Sequence, residues 1–239
     1  MPTERASTPG FTRYDRRMPP AQLHAGTTAV GHSPRLSPAK VQRLRNLLSP
    51  YDTVIVPGLH GSGPDHWQTR WQIALASRRV IQKDWAEPIY ESWVTGLEKT
   101  LRTCRRPVLF IAHSLGAVLV ARWAQGQGGR GIAGAFLVAP ADVETSTAPE
   151  RNRIHGFHPL PRTPLPFPAT LVASRNDNWL AFARAEDLAA AWQASLVDAG
   201  ASGHIGGTSG LGAWDAGLDR LTRFVRALPD GTCRRPTPA

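Results

Sequence analysis

The stretch Phe110-Ile111-Ala112-His113-Ser114-Leu115-Gly116 constrains this chain more than any other. The run from Pro107 to Ala112 is short and apolar and follows the basic residues Arg102 to Arg106, which predicts a buried strand. Leu115 to Ala124 predicts a helix, with Leu119, Ala121 and Trp123 along it and no proline or glycine after Gly116. Ser114 stands between them, and the small residues Ala112 and Gly116 on either side permit a sharp turn from strand into helix. Such a turn lifts the hydroxyl clear of the sheet edge and sets helix N-terminal N–H groups beside it. A serine so placed attacks a carbonyl once a base takes its proton. The competing reading is a serine that only caps the helix. Ala112 stands where a glycine is usual, so the motif is a variant and the rest of the chain must decide.

The surroundings alternate strand and helix. Asp52 to Val56 is a β-branched strand leading into Pro57-Gly58-Leu59-His60-Gly61-Ser62-Gly63-Pro64, a loop whose glycines let backbone approach a ligand. Asp65 is placed to cap a helix from His66 to about Ala76, with Trp67, Trp71 and Leu75 facing the core. Arg79 to Lys83 reads as a weak strand, and Ile89 to Thr103 as a helix. After the elbow and its helix comes the strand Ile132 to Val138, ending at Asp142. Residues 143–168 form a proline-rich connection too short for a large helical cap; Leu59, Phe157, Leu160 and Trp179 are candidate substrate-wall residues. Ala169 to Ser174 is a strand with Asp177 just past its end, and Phe182 to Ala194 a helix. A short strand, Ser195 to Val197, precedes a glycine-rich loop holding His204, and Ala213 to Leu228 is the final helix.

This alternation predicts an α/β fold: a mostly parallel central sheet with helices on both faces and no large cap domain. In a parallel sheet the glycine loop, Ser114, Asp177 and His204 all fall at one edge, where ligands bind. Their order, Ser then Asp then His, is that of the strand–elbow–helix solution to acyl transfer.

Charge divides the chain. The net charge is +10, but residues 1–48 carry eight Lys/Arg against two acids, and the last nine residues add Arg234 and Arg235. The excess therefore sits in the ends, with no nucleic-acid reader motif, so nucleic acid is not the expected partner. We expect a flexible basic arm over 1–48 with a short helix at 37–48, a catalytic domain over 49–229, and a flexible tail over 230–239. No apolar run long enough to span a bilayer occurs, and the basic N-terminus lacks the apolar segment of a secretory signal. Cys104 and Cys233 read as free thiols in a reducing, cytoplasmic setting, and no His/Cys ligand pattern points to a metal.

Taken together, Pro57 to Ser62 with His66-Trp67, Ala112 to Gly116, Ser174 to Asp177, Gly203 to Ile205 and Gly210 to Trp214 resemble the α/β-hydrolase superfamily. The chain is most similar to the small serine hydrolases of the retinoblastoma-binding-protein-9/YdeN type, over roughly residues 50–228. The resemblance implies a serine hydrolase acting on a small carboxylic ester or related acyl substrate through an acyl-enzyme, without cofactor or metal. Ser114 is then the nucleophile, His204 the base and Asp177 its orienter, with Asp142 as the fallback acid. Leu115 N–H is one expected oxyanion donor; Ser62 is favoured for the other, with His60 as runner-up. His113, beside the nucleophile, is expected to face away from the hydroxyl and to play a supporting part. Two other functions stay open: a non-catalytic protein-interaction module on the same fold, and an acyltransferase using the same triad.

Overall fold

The structure, a computed structural model, describes residues 35–229. The expected basic arm up to residue 34 and the tail from 230, with Cys233, lie outside the described residues. Six strands form one sheet in the order β2-β1-β3-β4-β5-β6, and every pairing is parallel. They are β1 (Asp52–Val56), β2 (Arg78–Arg79), β3 (Val108–His113), β4 (Ile132–Val138), β5 (Ala169–Ala173) and β6 (Ser195–Asp198). The helices are α1 (Pro38–Leu48), α2 (Trp67–Leu75), α3 (Tyr90–Leu101), α4 (Leu115–Gln127), α5 (Phe182–Trp192) and α6 (Asp215–Ala227). This is the α/β-hydrolase fold, without a large cap domain among the described residues.

The central strands are apolar at nearly every position because both faces are covered. Alternate side chains divide between two cores. Val54, Val56, Phe110, Ala112, Leu137 and Leu171 join a layer with α3, α4 and α5. Ile55, Leu109, Ile111, Phe136, Val138 and Val172 join a second layer with α1, α2 and α6.

Helix α1 is part of that second layer. Leu44 and Leu48 are buried in it, and Lys40 Nζ reaches Asp215 and, at 2.8 Å, Asp219 on α6. The packed region thus begins one helix before the boundary expected at residue 49. The strand expected over residues 79–83 shrinks to Arg78–Arg79, because β2 is an edge strand paired only with β1. Asp65 does not cap α2: His66 is the N-cap, its Nδ1 accepting the Gln68 N–H at 3.1 Å, while the exposed Asp65 pairs with Arg70.

The long connection after β4 is tied down by charge. Asp142 is buried against the Arg184 guanidinium at 2.9 Å, and Glu144 bonds Arg184, Arg162 and the Leu160 N–H. A short 3-10 turn over Arg151–Phe157 puts Ile154 and Phe157 into the first core.

The sheet order reverses between β1 and β3: the chain leaves β1 toward β2, then crosses to its other side. Their registers run level, with Ile55 opposite Ile111 and Val56 opposite Ala112. The two following loops therefore part at one crevice, the usual ligand position in such sheets.

Candidate active site

The level register sets Gly58 against Ser114. A Cβ at Gly58 would lie 2.7 Å from Ser114 Cβ, so glycine is needed for the two loops to meet. Gly116 is required for a similar reason, since a Cβ there would overlap the Val56 and Pro57 carbonyls. Between them Ser114 has φ 55° and ψ −127°, a strained conformation outside the ordinary left-handed well. Its hydroxyl makes no cap bond to α4, which removes the capping reading.

The Ser114 Oγ lies instead 2.7 Å from His204 Nε2. His204 Nδ1 is 2.9 Å from both carboxylate oxygens of Asp177. The Asp177 side chain is 1% exposed and that of His204 17%, so the acid is shielded while the base stays accessible. Asp177 Oδ1 also accepts the Trp179 N–H at 2.8 Å. Asn176 Oδ1 accepts the Gly203 N–H at 2.7 Å, and the Ser174 hydroxyl accepts the Ser202 N–H at 2.8 Å. These bonds stitch the loop after β5 to the loop after β6, bringing Asp177 and His204 together.

Asp142 is committed elsewhere. Its carboxylate accepts bonds from Arg184, Thr145 and the Glu144 N–H. Burial pushes its pKa up, but those hydrogen bonds outweigh it and hold the group below the usual carboxylate range.

The remaining predicted residues part company. Leu115 starts α4 beside Ser114, and its N–H has no acceptor within the helix. The His60 N–H is spent on the Trp85 carbonyl at 3.0 Å, and its ring pairs with Glu150 at 3.1 Å. Ser62 is turned to α2: its hydroxyl donates to Gln68 Oε1 at 2.7 Å and its carbonyl accepts from Thr69 and Arg79. Phe157 and Leu160 are buried in the first core, Phe157 edge-on to Tyr90 and Trp93, so neither presents a surface to a substrate. Leu59 is half-buried, and Trp179, also half-buried, has its ring 5.6 Å from that of His204.

Two organising residues were not singled out from the sequence, and a third, Trp67, was read only as core and as part of the resemblance. Gln68 is fully buried and ties the loop to the sheet: it accepts from Ser62 and donates to the Val56 and Ile111 carbonyls. Arg79 clamps the same loop through the Gly61 and Ser62 carbonyls. Trp67 donates its indole N–H to the Ile205 carbonyl at 2.7 Å.

Two buried histidines lie behind the triad. Burial, with the charge of Arg79 and the proximity of His204, pushes His66 down to about 3. Burial chiefly, with His66 and His204 adding, pushes His113 well below the usual histidine value. His113 Nε2 meets the His204 carbonyl at 2.9 Å rather than Ser114. Among the described residues no group of His, Cys, Asp or Glu is arranged to hold a metal ion, and no helix is long and apolar enough to cross a membrane.

An elbow serine joined through a histidine to a buried carboxylate, on this sheet, defines an α/β-hydrolase. The chain belongs to the serine hydrolase family, whose pattern matches residues 53–223. A YdeN-like hydrolase of Pectobacterium atrosepticum is 36% identical, covering 80% of this chain and 100% of that one, with a TM-score of 0.70. The ydeN gene product of Bacillus subtilis is 20% identical over 74% of this chain and 99% of its own, with a TM-score of 0.60. An esterase of a Rhodococcus species shares the fold at 14% identity, over 76% and 92% of the two chains, with a TM-score of 0.55. No curated protein matches the chain.

Proposed function

We propose that the protein is a carboxylesterase-like enzyme that cleaves small carboxylic esters by way of an acyl-enzyme. The observation that carries this reading is the unbroken hydrogen-bond chain from Asp177 through His204 to the Ser114 hydroxyl. Several esterases among the structures of like fold agree with it. In the first half-reaction Ser114 Oγ attacks the ester carbonyl while His204 Nε2 takes its proton. The tetrahedral oxyanion collapses, the C–O bond to the alcohol breaks, and His204 returns the proton to the leaving alkoxide. Water, deprotonated by His204, then attacks the acyl-enzyme; the carboxylic acid leaves and Ser114 regains its proton. Asp177 orients the imidazole and stabilises its charged form.

The oxyanion donors are the Leu115 N–H and, in place of Ser62 or His60, the Leu59 N–H. Gly58 abuts Ser114, and Leu59 is the next residue of that loop. The His60 N–H is already bonded to the Trp85 carbonyl; Ser62 is drawn toward α2 by its hydroxyl and carbonyl, and its N–H is the alternative to that of Leu59. Leu59 and Trp179 flank the acyl position. A small acyl substrate suits a fold without a large cap. The free thiol of Cys104 supports a reducing, cytoplasmic setting.

Fluorophosphonate labelling tests the reading. The wild type is labelled at Ser114 and hydrolyses short-chain p-nitrophenyl esters. Ser114→Ala and His204→Ala lower kcat by about a thousandfold or more with the fold intact. Undiminished labelling in the Ser114→Ala enzyme overturns the assignment.

A further inference from the structure

The loop that carries His204 is rich in glycine, with Gly200, Gly203, Gly206, Gly207, Gly210 and Gly212, so its own sequence does little to hold the backbone still. Yet the imidazole must stand within hydrogen-bond reach of both Asp177 and Ser114. Asp177 fixes the ring from one side; something else must fix the chain that bears it.

Two consecutive carbonyls answer that need. The His204 carbonyl faces His113 Nε2 at 2.9 Å, and the Ile205 carbonyl accepts the Trp67 Nε1–H at 2.7 Å. A carbonyl can only accept, so His113 carries its proton on Nε2. Both donors are rigidly seated. His113 ends β3, one residue before the elbow, and its ring lies 4.9 Å from that of His66 and 5.0 Å from that of His204. Trp67 opens α2 and is wedged between Trp71, edge-on at 4.6 Å, and Trp214, tilted against it at 4.9 Å. Trp71 in turn donates to the Ala213 carbonyl at 2.9 Å, so the far end of the same loop is also anchored to α2.

The backbone between these anchors is strained. Ile205 is fully buried and has φ 50°, a left-handed conformation that a β-branched side chain avoids. Such a conformation persists only where its surroundings over-determine it. We propose that His113 and Trp67 are positioning residues for the base: their ring N–H groups grip the His204 and Ile205 carbonyls and so set where the His204 imidazole stands. The elbow thereby supplies the nucleophile and, one residue earlier, the group that aligns the base to it. This inference rests on the triad reading above.

The test compares the wild type with His113→Gln, His113→Leu and Trp67→Phe. A glutamine side-chain amide reaches the Nε2 position and can still donate; leucine cannot; phenylalanine keeps a ring without the N–H. Small misplacements of catalytic groups are worth about a hundredfold, so His113→Leu is expected to lower kcat by roughly 10- to 100-fold with KM changed less than about threefold. Trp67→Phe is expected to lower kcat by about tenfold, and His113→Gln to recover most of the loss. Imidazole nitrogen NMR on the full chain gives a readout free of activity. His113 shows the neutral Nε2–H form at pH 7, and the His204 resonances shift in His113→Leu. Wild-type kcat in folded His113→Leu, no advantage of glutamine over leucine, or a proton on His113 Nδ1 each overturns the proposal. Should His113→Leu fail to fold, Trp67→Phe, His113→Gln and the wild-type NMR decide it. Failure of the triad reading shows separately, as labelling that survives Ser114→Ala, and the NMR arm still judges the grip.

Discussion

The layer of α3, α4 and α5 and the layer of α1, α2 and α6 pack on the same strands but serve the site by different means. The first layer meets the triad by burial alone. Nine of the 13 residues of α4 are buried, so Ser114 sits at the end of a helix embedded along most of its length. The second layer meets it through polar atoms on large rings. Trp67 and Trp71 bury their rings and still donate to the Ile205 and Ala213 carbonyls, and His66 and His113 are buried beside them. Indoles in the first layer donate too, Trp93 to the Asp84 carbonyl and Trp192 to that of Pro161, but in connections that bear no triad residue. The nucleophile is thus placed by packing and the base by hydrogen bonds to a pliable loop. Loss of apolar volume in the first layer should therefore cost stability, and loss of a donor in the second should cost turnover.

Leu119→Ala probes the first half of that contrast. Leu119 lies in α4 with no exposed surface. Its truncation leaves a cavity and is expected to cost about 2–5 kcal/mol in urea unfolding, with kcat per folded molecule within about twofold of wild type. A tenfold or greater fall in kcat, measured where the variant is fully folded, would break the contrast by showing that volume in α4 also tunes the chemistry.

The strands, shared by both layers, were the most legible part of the sequence. Runs such as Val108 to Ile111 and Phe136 to Val138 announce strands buried on both faces, because an apolar run bounded by turn residues has few other uses. Ser114, Asp177 and His204 could be listed as strand-end residues for the same reason. The second layer carried its information in single polar atoms. Nothing in the spacing of Trp67 and Trp71 tells that their N–H groups reach residues 205 and 213, more than a hundred positions away along the chain. His66 displaced Asp65 as the cap of α2 because its ring is held in the interior while Asp65 faces solvent. In the loop after β1 the sequence ordered the candidates by position, Ser62 after the His60-Gly61 pair, but could not tell that the His60 N–H bonds the Trp85 carbonyl or that Gly58 is pressed on Ser114. Phe157 and Leu160 fell in a connection that reads as surface, yet it folds inward under the Asp142–Arg184–Glu144 cluster.

Acid should attack the second layer first. Both buried histidines, His66 and His113, belong to its side of the sheet. His66 is pushed down to about 3 in the folded chain, whereas an unfolded histidine charges near 6.5. Above that unfolded value both states are neutral and the group contributes no pH dependence. As pH falls below it, the unfolded state binds the proton and the folded state does not, so stability drops until the folded group titrates. At pH 5 the loss through His66 alone is about 2 kcal/mol, and His113 adds to it in the same direction. His66→Asn keeps a side-chain oxygen that can accept the Gln68 N–H but cannot titrate. Urea unfolding at pH 7 and pH 5 is expected to show a wild-type loss that shrinks by about 2 kcal/mol in this variant. An unchanged loss would place the acid sensitivity elsewhere, in carboxylates such as Asp52 or Asp142.

The smallest effect is the sharpest test of what the indole donors do. Trp123 lies in α4, its ring edge-on to Phe110 at 6.0 Å, and its Nε1 is buried with no hydrogen-bond partner among the described residues. An N–H taken from water without a partner costs about 1–3 kcal/mol, so this indole starts at a disadvantage that Trp67, Trp71, Trp93 and Trp192 do not share. Trp123→Phe removes the orphan donor but also part of the buried ring. The two changes oppose each other, and the net is expected within about 1 kcal/mol of zero. The same replacement at Trp71 removes as much ring and also leaves the Ala213 carbonyl without its donor, so both changes act against the fold. Paired melting curves of Trp123→Phe and Trp71→Phe therefore separate ring volume from donation. A near-neutral first variant beside a clearly destabilised second assigns the difference to the N–H group. Equal losses in both would mean that the two layers are held by packing alone and that the indole bonds of the second layer add nothing to its stability.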